Sequence, residues 1–184
     1  MQFATAAATI EQEVARTLST VQEAEVQAFL RAIQNARSIF VFGAGRVSMV
    51  AQTFAMRLSQ LGLRSVWVGD ATMPPIGPGD LLLVCSGSGE TVTVRVVAEL
   101  AVKRGAEVAT VTREPQASIG RLCKVVVTLG GKTPTGGNPP PSQQPLVSLW
   151  EQSLLVLLDA IVMMLMERLS QTSATMKQRS MNLE

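Results

Sequence analysis

Residues Leu83–Val92 read LVCSGSGETV, and this stretch decides the fold. An apolar run ends at Cys85, and six residues of Ser, Gly, Glu and Thr follow before apolar residues return. A buried strand that turns directly into a helix is typical of a βαβ unit, in which the turn lies at the carboxyl end of a parallel strand. Ligands of open parallel sheets bind beyond that end of the strands. We therefore expect a ligand site in this turn.

Helical patterns alternate with short apolar runs along the rest of the chain. The predicted strands cover residues 38–42, 65–68, 80–85, 107–112 and 124–129. The predicted helices cover residues 9–20, 23–35, 46–61, 91–104, 118–122 and 146–169. This order favours an α/β fold with three layers, in which a five-stranded parallel sheet is doubly wound as in flavodoxin. The Pro/Gly-rich stretch 130–145 is too long for a plain connection, so it is either functional or mobile.

A chain of 184 residues with 47% hydrophobic and 16% charged residues suits a single globular domain, 1–184. Within it we expect an N-terminal helical arm, about 1–36, and a C-terminal helix and tail, about 146–184. Glu151 and Asp159 interrupt the apolar stretch 145–169, which favours a helix buried in a core or a subunit interface over a membrane span. The net charge of +2 is too small to indicate a nucleic-acid or membrane partner.

The residue types that are missing limit the chemistry. The chain has no His, which excludes Ser-His-Asp and Cys-His catalysis and imidazole-bound metals, so a general base must be Glu, Asp, Lys or Cys. The two cysteines, Cys85 and Cys123, lack metal-binding spacing and favour a reduced, cytoplasmic setting. The N-terminus has no basic residues before an apolar core, so we expect no signal peptide.

Two turns carry the predicted site: 43–46, which reads GAGR, and 86–91, which reads SGSGET. Glycines let a ligand approach the backbone, and the following helix N-terminus offers free N–H groups. With the hydroxyls of the second turn, these features describe a neutral cradle for a phosphate. The alternative is that Ser and Thr only cap the helix and Gly only turns the chain. No Lys follows the glycines as in a P-loop, and Ser48 stands where a dinucleotide fingerprint needs Gly.

The two turns, together with FAMRLSQLG (54–62), SLWEQSLLVLLDAIV (148–162) and the closing NLE, resemble the SIS (sugar isomerase) domain family. Over essentially the whole chain the resemblance is to the 6-phospho-3-hexuloisomerases within that family. It implies interconversion of D-arabino-hex-3-ulose 6-phosphate and fructose 6-phosphate in the ribulose monophosphate route of formaldehyde fixation. It also implies that the chain needs no metal and no organic cofactor, and that it forms a homo-oligomer, usually a tetramer.

Roles for individual residues follow from the same resemblance. Glu151 is the expected catalytic acid/base, although a Glu that complements its own helix dipole is the alternative. The expected substrate- and phosphate-binding residues are Gly43, Gly45, Arg46, Ser48, Ser86, Gly87, Ser88, Gly89, Glu90 and Thr91. Arg179 and Ser180 lie on a tail long enough to reach a site, that of a neighbouring subunit included.

The chain departs from the family pattern at three places, one of which is Asp70, where Glu is expected. Val47-Ser48 replaces the usual Ser-Gly after GAGR, and Ser180 stands where the family usually has His. Two other functions therefore stay open: a sugar-phosphate-binding module without catalysis, and another aldose–ketose phosphate isomerase, such as one that acts on arabinose 5-phosphate.

Overall fold

The computed structural model describes residues 1–131 and 141–182. Most of the stretch 130–145 and the last two residues, Leu183 and Glu184, therefore lie outside the described residues. The elements, in chain order, are α1 Phe3–Leu18, α2 Glu23–Asn35, β1 Ile39–Gly43, α3 Arg46–Gln60, β2 Ser65–Trp67, β3 Leu81–Cys85, α4 Val92–Lys103, β4 Glu107–Thr112, α5 Ser118–Leu122, β5 Val125–Thr128, α6 Ser148–Arg168 and α7 Ser173–Lys177.

The five strands form one parallel sheet in the order β2-β1-β3-β4-β5. The predicted doubly wound, flavodoxin-like fold is therefore confirmed. The chain reverses its direction of winding between β1 and β3, the two neighbouring central strands. Ligands of such sheets bind at this switch point, beyond the carboxyl ends of the two strands.

Side chains alternate between the two faces of the sheet and define two cores. On β1, Ile39 and Val41 pack with α2, α3 and α6, whereas Phe40 packs on the opposite face with α4 and α5. On β3, Leu83 lies in the first core and Leu82 in the second. Because β3 is apolar on both faces and fully buried, it reads as a continuous hydrophobic run and lies at the centre of the sheet.

The long apolar helix α6 belongs to the first core. It packs against α3, α1 and α2, and its buried side chains include Trp150, Leu154 and Ile161. Among the described residues it is one helix whose length and composition would suit a membrane span, and half of its most apolar window is buried inside the fold. The helix is therefore hydrophobic because it packs in the core, as predicted.

Two elements differ from the sequence prediction. Helix α1 begins at Phe3 rather than at residue 9, because the Ala-rich segment 3–8 has high helix propensity. The segment lacks the apolar stripe on which the prediction depended. The short helix α7 was not predicted. Its N-cap Thr172 and Thr175 form a reciprocal capping box, which stabilises a turn of only five residues.

Candidate active site

The two predicted turns lie side by side at the carboxyl edge of the sheet. Strands β1 and β3 are paired so that Gly43 is opposite Cys85, and each turn starts immediately beyond this pair. The turn 43–46 leads into α3 and the turn 86–91 leads into α4. Two helix N-termini therefore meet at the switch point, where their free N–H groups and partial positive charges favour an anion.

The hydroxyls of the turn 86–91 do not cap α4. The N-cap residue Thr91 makes no side-chain cap hydrogen bond, and its Oγ1 lies 2.9 Å from the Oγ of Ser86, with which it shares one hydrogen bond. The Oγ of Ser88 accepts a hydrogen bond from the N–H of Glu90, so its own proton remains available for a ligand. The capping alternative is therefore wrong for this turn.

Several backbone donors of the turn are free. Within residues 1–131 and 141–182, the N–H groups of Gly87, Ser88 and Thr91 have no hydrogen-bond acceptor. Backbone N–H groups are almost always paired when they are not in contact with water or a ligand. Three free N–H groups, the Ser88 hydroxyl and the uncapped N-terminus of α4 are the kind of uncharged donors that an anion would need.

The far side of the turn is fastened to the segment before α5. The Oε1 of Glu90 accepts a hydrogen bond from the N–H of Ser118 (2.8 Å), and this bond holds the pKa of the exposed Glu90 carboxyl below its usual range. The carbonyl of Gly89 accepts from the N–H of Ile119 (3.0 Å). Gly89 has φ +65°, and a Cβ there would lie 2.6 Å from the Cβ of Ala117. Glu90 and Gly89 thus hold the turn in place.

The turn 43–46 is shaped by its glycines. Gly43 is buried, and a Cβ there would lie 3.2 Å from the carbonyl oxygen of Val47. Gly45 is the N-cap of α3 with φ +59° and ψ −140°, and no atom lies within 4 Å of a Cβ built on it. The hydroxyl of Ser48 donates to the Gly45 carbonyl (2.6 Å), so its proton is already in use. Space for a ligand therefore exists at Gly45 rather than at Ser48.

Glu151 and Arg46 form an ion pair between α6 and α3. The Oε2 of Glu151 lies 2.9 Å from the Nε of Arg46, and Glu151 is 5% exposed whereas the Arg46 side chain is 66% exposed. The two atoms are close, but the N–H of Arg46 is not aligned with the oxygen, so this buried oxygen accepts no hydrogen bond from the described residues. A buried carboxylate oxygen without a hydrogen bond is uncommon in a fold, and a bound water or ligand would satisfy it.

Cysteine chemistry is disfavoured at this site. Cys85 ends β3 next to the turn, and burial raises the pKa of its thiol to about 12. Burial also raises the pKa of the Cys123 thiol to about 12. Both groups therefore stay protonated near neutral pH and cannot act as bases there. In the part of the chain that the structure describes, no group of three or more Cys, Asp or Glu side chains is arranged to hold a metal ion.

One residue of the site was missed by sequence reasoning. Trp150 precedes Glu151, is 3% exposed, and donates from Nε1 to the carbonyl of Leu129 at the end of β5 (3.1 Å). Its ring lies against Gly87 in the turn 86–91. A long-range contact of this kind leaves no local pattern in a sequence, and the only signal was the proximity of a large aromatic residue to the predicted base.

The tail residues Arg179 and Ser180 lie at the other end of α3. The guanidinium of Arg179 donates to the carbonyl of Gln60 (3.2 Å), and the amide of Gln60 donates to the Oγ of Ser180 (3.2 Å). Gln60 and Arg46 are the two ends of α3, which are about 21 Å apart at 1.5 Å per residue. Within one chain, the structure therefore does not bring Arg179 and Ser180 to the two turns.

The chain is similar to known proteins in sequence and in fold. The model of the SIS domain family matches residues 32–164. The chain is 34% identical over 178 residues to a 3-hexulose-6-phosphate isomerase of Bacillus subtilis, with 96% of each chain covered. It is 37% identical over 175 residues to a 3-hexulose-6-phosphate isomerase of Mycobacterium gastri. This match covers 95% of this chain and 88% of the Mycobacterium gastri protein.

A solved structure extends the comparison to the fold. A hypothetical protein of Methanococcus jannaschii, for which a molecular function of 3-hexulose-6-phosphate isomerase was inferred, superimposes with a TM-score of 0.81. The match has 27% sequence identity and covers 95% of this chain and 97% of that chain. The resemblance drawn from the sequence is confirmed.

Proposed function

Because this chain belongs to the SIS domain family, we propose that it is a sugar-phosphate isomerase that interconverts D-arabino-hex-3-ulose 6-phosphate and fructose 6-phosphate. The observation that carries the proposal is the meeting of two features at one edge of the sheet. These are a turn with free backbone donors, 86–91, and a buried carboxylate oxygen without a hydrogen bond, Glu151 Oε2. The first suits a phosphate and the second suits a base, so the pair matches the two demands of the reaction.

The turn 86–91 is the proposed phosphate site. The N–H groups of Gly87, Ser88 and Thr91 would donate to the phosphate oxygens, together with the Ser88 hydroxyl and one proton of the Ser86–Thr91 hydroxyl pair. Gly43 and Gly45 would line the neighbouring wall. Ser48, whose proton is engaged, would contribute little directly. Because the phosphate does not react, its binding energy is available to orient the carbons that do.

Glu151 is the proposed base. In the direction of fructose 6-phosphate, its carboxylate takes the proton from C2, which is acidified by the C3 carbonyl, and a 2,3-enediolate forms. The same carboxyl then returns the proton to C3, while the proton on O2 moves to O3 and the carbonyl is left at C2. Arg46, next to Glu151, would stabilise the negative charge on the enediolate oxygens. A well-placed base of this kind contributes roughly 10²–10⁴-fold to the rate.

We further propose that the chain is a single domain, 1–184, that works as a cytoplasmic homo-oligomer, with four subunits as the resemblance implies. Large apolar side chains at three separate places support an interface. Phe3 of α1 is 88% exposed, Leu146 before α6 is 98% exposed and Met163 on α6 is 71% exposed. The free thiols of Cys85 and Cys123 support a reduced compartment. Light scattering after size-exclusion chromatography measures the subunit count, and a monomer would contradict this part of the proposal.

The experiment that tests the function is isotope exchange. Incubation of fructose 6-phosphate in D₂O with the protein should place deuterium on C3, the carbon that loses its proton when the 2,3-enediolate forms, as followed by proton NMR. Glu151→Gln should slow exchange on the order of 10²-fold or more and leave sugar-phosphate affinity within about threefold. Glu167→Gln, an exposed residue on the same helix, is the matched control and should exchange at the wild-type rate.

The outcomes separate the proposal from its alternatives. Tight binding of fructose 6-phosphate without exchange would favour a binding module. Exchange with arabinose 5-phosphate instead of the ketohexose would favour a different isomerase. A wild-type rate in Glu151→Gln would show that another group is the base.

A further inference from the structure

Trp150 ties the first turn of α6 to the sheet. Its indole N–H donates to the Leu129 carbonyl, which follows the last strand, and the side chain is almost completely buried. Glu151 is the next residue of the helix and is also buried. A helix holds the relative positions of consecutive residues rigidly, so an anchor at Trp150 also constrains Glu151.

The same ring lies directly on the turn 86–91. A Cβ built on Gly87 would lie 3.2, 3.4 and 3.5 Å from Cδ2, Cε3 and Cε2 of Trp150. Gly87 is not among the glycines with a positive φ, unlike its neighbour Gly89. The position therefore needs glycine because the indole occupies the space, and not because of its backbone conformation. Any larger residue at this position would have to displace the ring by a few tenths of an ångström.

We propose that Trp150 is a positioning residue that sets the distance between the phosphate-binding turn and Glu151. This inference rests on the proposed function. The substrate is held by its phosphate in the turn and reacts at carbons several bonds away, so the base is effective only if turn and helix keep a fixed separation. The buried ring of Trp150 contacts Gly87 in the turn and belongs to the residue next to Glu151, so it links the two directly. A misplacement of about 1 Å costs on the order of 10²-fold in rate in such arrangements.

Steady-state kinetics with fructose 6-phosphate test the proposal, with kcat normalised to the binding stoichiometry from calorimetry so that unfolded protein does not count. Trp150→Leu should lower kcat on the order of 10²-fold with KM within about threefold. Trp150→Phe, which keeps an aromatic ring but loses the N–H, should give a smaller loss. Gly87→Ala should lower kcat about tenfold. Trp67→Phe, at the other tryptophan of the chain, is the control and should keep the wild-type kcat.

The double variant Gly87→Ala/Trp150→Leu provides the decisive comparison. If the methyl group added by Gly87→Ala acts by displacing the indole, the double variant should be no slower than Trp150→Leu alone, because no ring is left to displace. Multiplied losses would show that the two residues act independently and would overturn the inference. A wild-type kcat in Trp150→Phe and in Gly87→Ala would overturn it as well.

A second measurement does not depend on catalysis. The chain has two tryptophans, so Trp67→Phe leaves Trp150 as the sole source of indole fluorescence. Because the ring touches the turn, titration with fructose 6-phosphate should change its emission with the dissociation constant found by calorimetry. No change at saturating ligand would contradict contact between ring and site. An inactive wild-type protein would refute the proposed function, whereas an active wild-type protein with unaffected variants would refute only the role of Trp150.

Discussion

Glu13 supports a strong test of the forces that hold the segment before α6. This residue of α1 is buried, and its carboxylate accepts three hydrogen bonds from residues 142–144. Oε1 accepts from the N–H of Gln143 (2.8 Å), and Oε2 accepts from Ser142 Oγ (2.7 Å) and from the amide of Gln144 (2.9 Å). The hydrogen bond from the Gln143 N–H, followed by that from Ser142, lowers the pKa of Glu13. Burial acts in the opposite direction but has a smaller effect, so the pKa lies below its usual range.

The substitution Glu13→Gln replaces one acceptor oxygen by a donor. The remaining oxygen can keep the bond from Gln143, and the new amide can donate to the hydroxyl of Ser142, but Gln144 then faces a donor. One hydrogen bond to a charged group is lost and the other two are weakened, so the free energy of unfolding should fall by about 1–3 kcal/mol at pH 7. With a urea m-value of about 2 kcal/mol/M, the midpoint should fall by about 1 M.

The difference between wild type and Glu13→Gln should depend on pH. A carboxyl whose pKa is lowered in the folded state stabilises the fold fully above its unfolded pKa, near ~4.3, and loses this effect as the pH falls through the folded value. The two unfolding curves should therefore converge as the pH falls from about 5 through the lowered pKa of Glu13, because protonated Glu resembles Gln. Urea unfolding followed by circular dichroism at fixed protein concentration measures this.

Glu11→Gln is the control, since Glu11 is exposed on the same helix and has no side-chain hydrogen bond to the described residues. Its unfolding free energy should stay within about 0.5 kcal/mol of wild type. Equal midpoints for Glu13→Gln and wild type at pH 7, or a gap that persists at low pH, would refute the argument.

Two further predictions compare matched variants at the site. Ser88→Ala should weaken fructose 6-phosphate binding roughly 10–100-fold, because it removes a donor to a charged group. Ser48→Ala should change the affinity by no more than about threefold, because the Ser48 hydroxyl already donates to the Gly45 carbonyl. Equal affinities of the two variants by calorimetry would contradict this prediction. Gly89→Ala should lower the free energy of unfolding by about 2–5 kcal/mol, because the cost of a left-handed backbone adds to that of a clash with Ala117. Gly79 also has a positive φ but has open space around it, so Gly79→Ala should lower the free energy of unfolding by only about 1–2 kcal/mol. Ala117→Gly should recover part of the Gly89 loss, and equal urea midpoints for the two glycine variants would show that the clash is absent.

Local patterns were enough to predict the sheet. Each strand is a short, mostly apolar run that ends in Gly or Thr or has Gly or Ser within two residues after its end. The helices between the strands carry an apolar stripe, so strand order and ligand edge followed from the rules of parallel sheets. The start of α1 and the whole of α7 were missed, because neither depends on an apolar stripe. Segment 3–8 is helical through Ala propensity, and α7 is stabilised by Thr172, Thr175 and the docking of the following Arg179.

The contacts that complete the site could not be predicted from the sequence. Glu151 stood out as a carboxylate at a helix start, and Arg46 as a cation at another, but their ion pair joins residues 105 positions apart in the chain. The same holds for Trp150 on Gly87 and for Glu13 on residues 142–144. Such contacts depend on how α6 and α1 pack on the sheet, which no periodicity encodes. The described part of the stretch 130–145 includes residues 142–144, which Glu13 anchors.

The charge distribution of the site explains how a phosphate can bind without a lysine. Arg46 is a cation beside the two turns, and its charge offsets that of Glu151. Arg113 adjoins the second turn, because its backbone N–H donates to the carbonyl of Gly87 (3.2 Å). Backbone dipoles at helix starts would add to the positive potential for the phosphate. Helices α3, α4 and α6 all begin at this edge of the sheet, and within the described residues none of the three has a side-chain cap that would satisfy its first N–H groups. A capped helix would engage these donors with its own side chain. At α4 the N–H of Thr91 has no acceptor among the described residues, whereas the N–H groups of Ser48 of α3 and Ser148 of α6 already donate to backbone carbonyls. In the proposed mechanism, the ion pair with Glu151 would keep the guanidinium of Arg46 near the carbons that react, where negative charge develops, rather than at the phosphate, where the charge does not change.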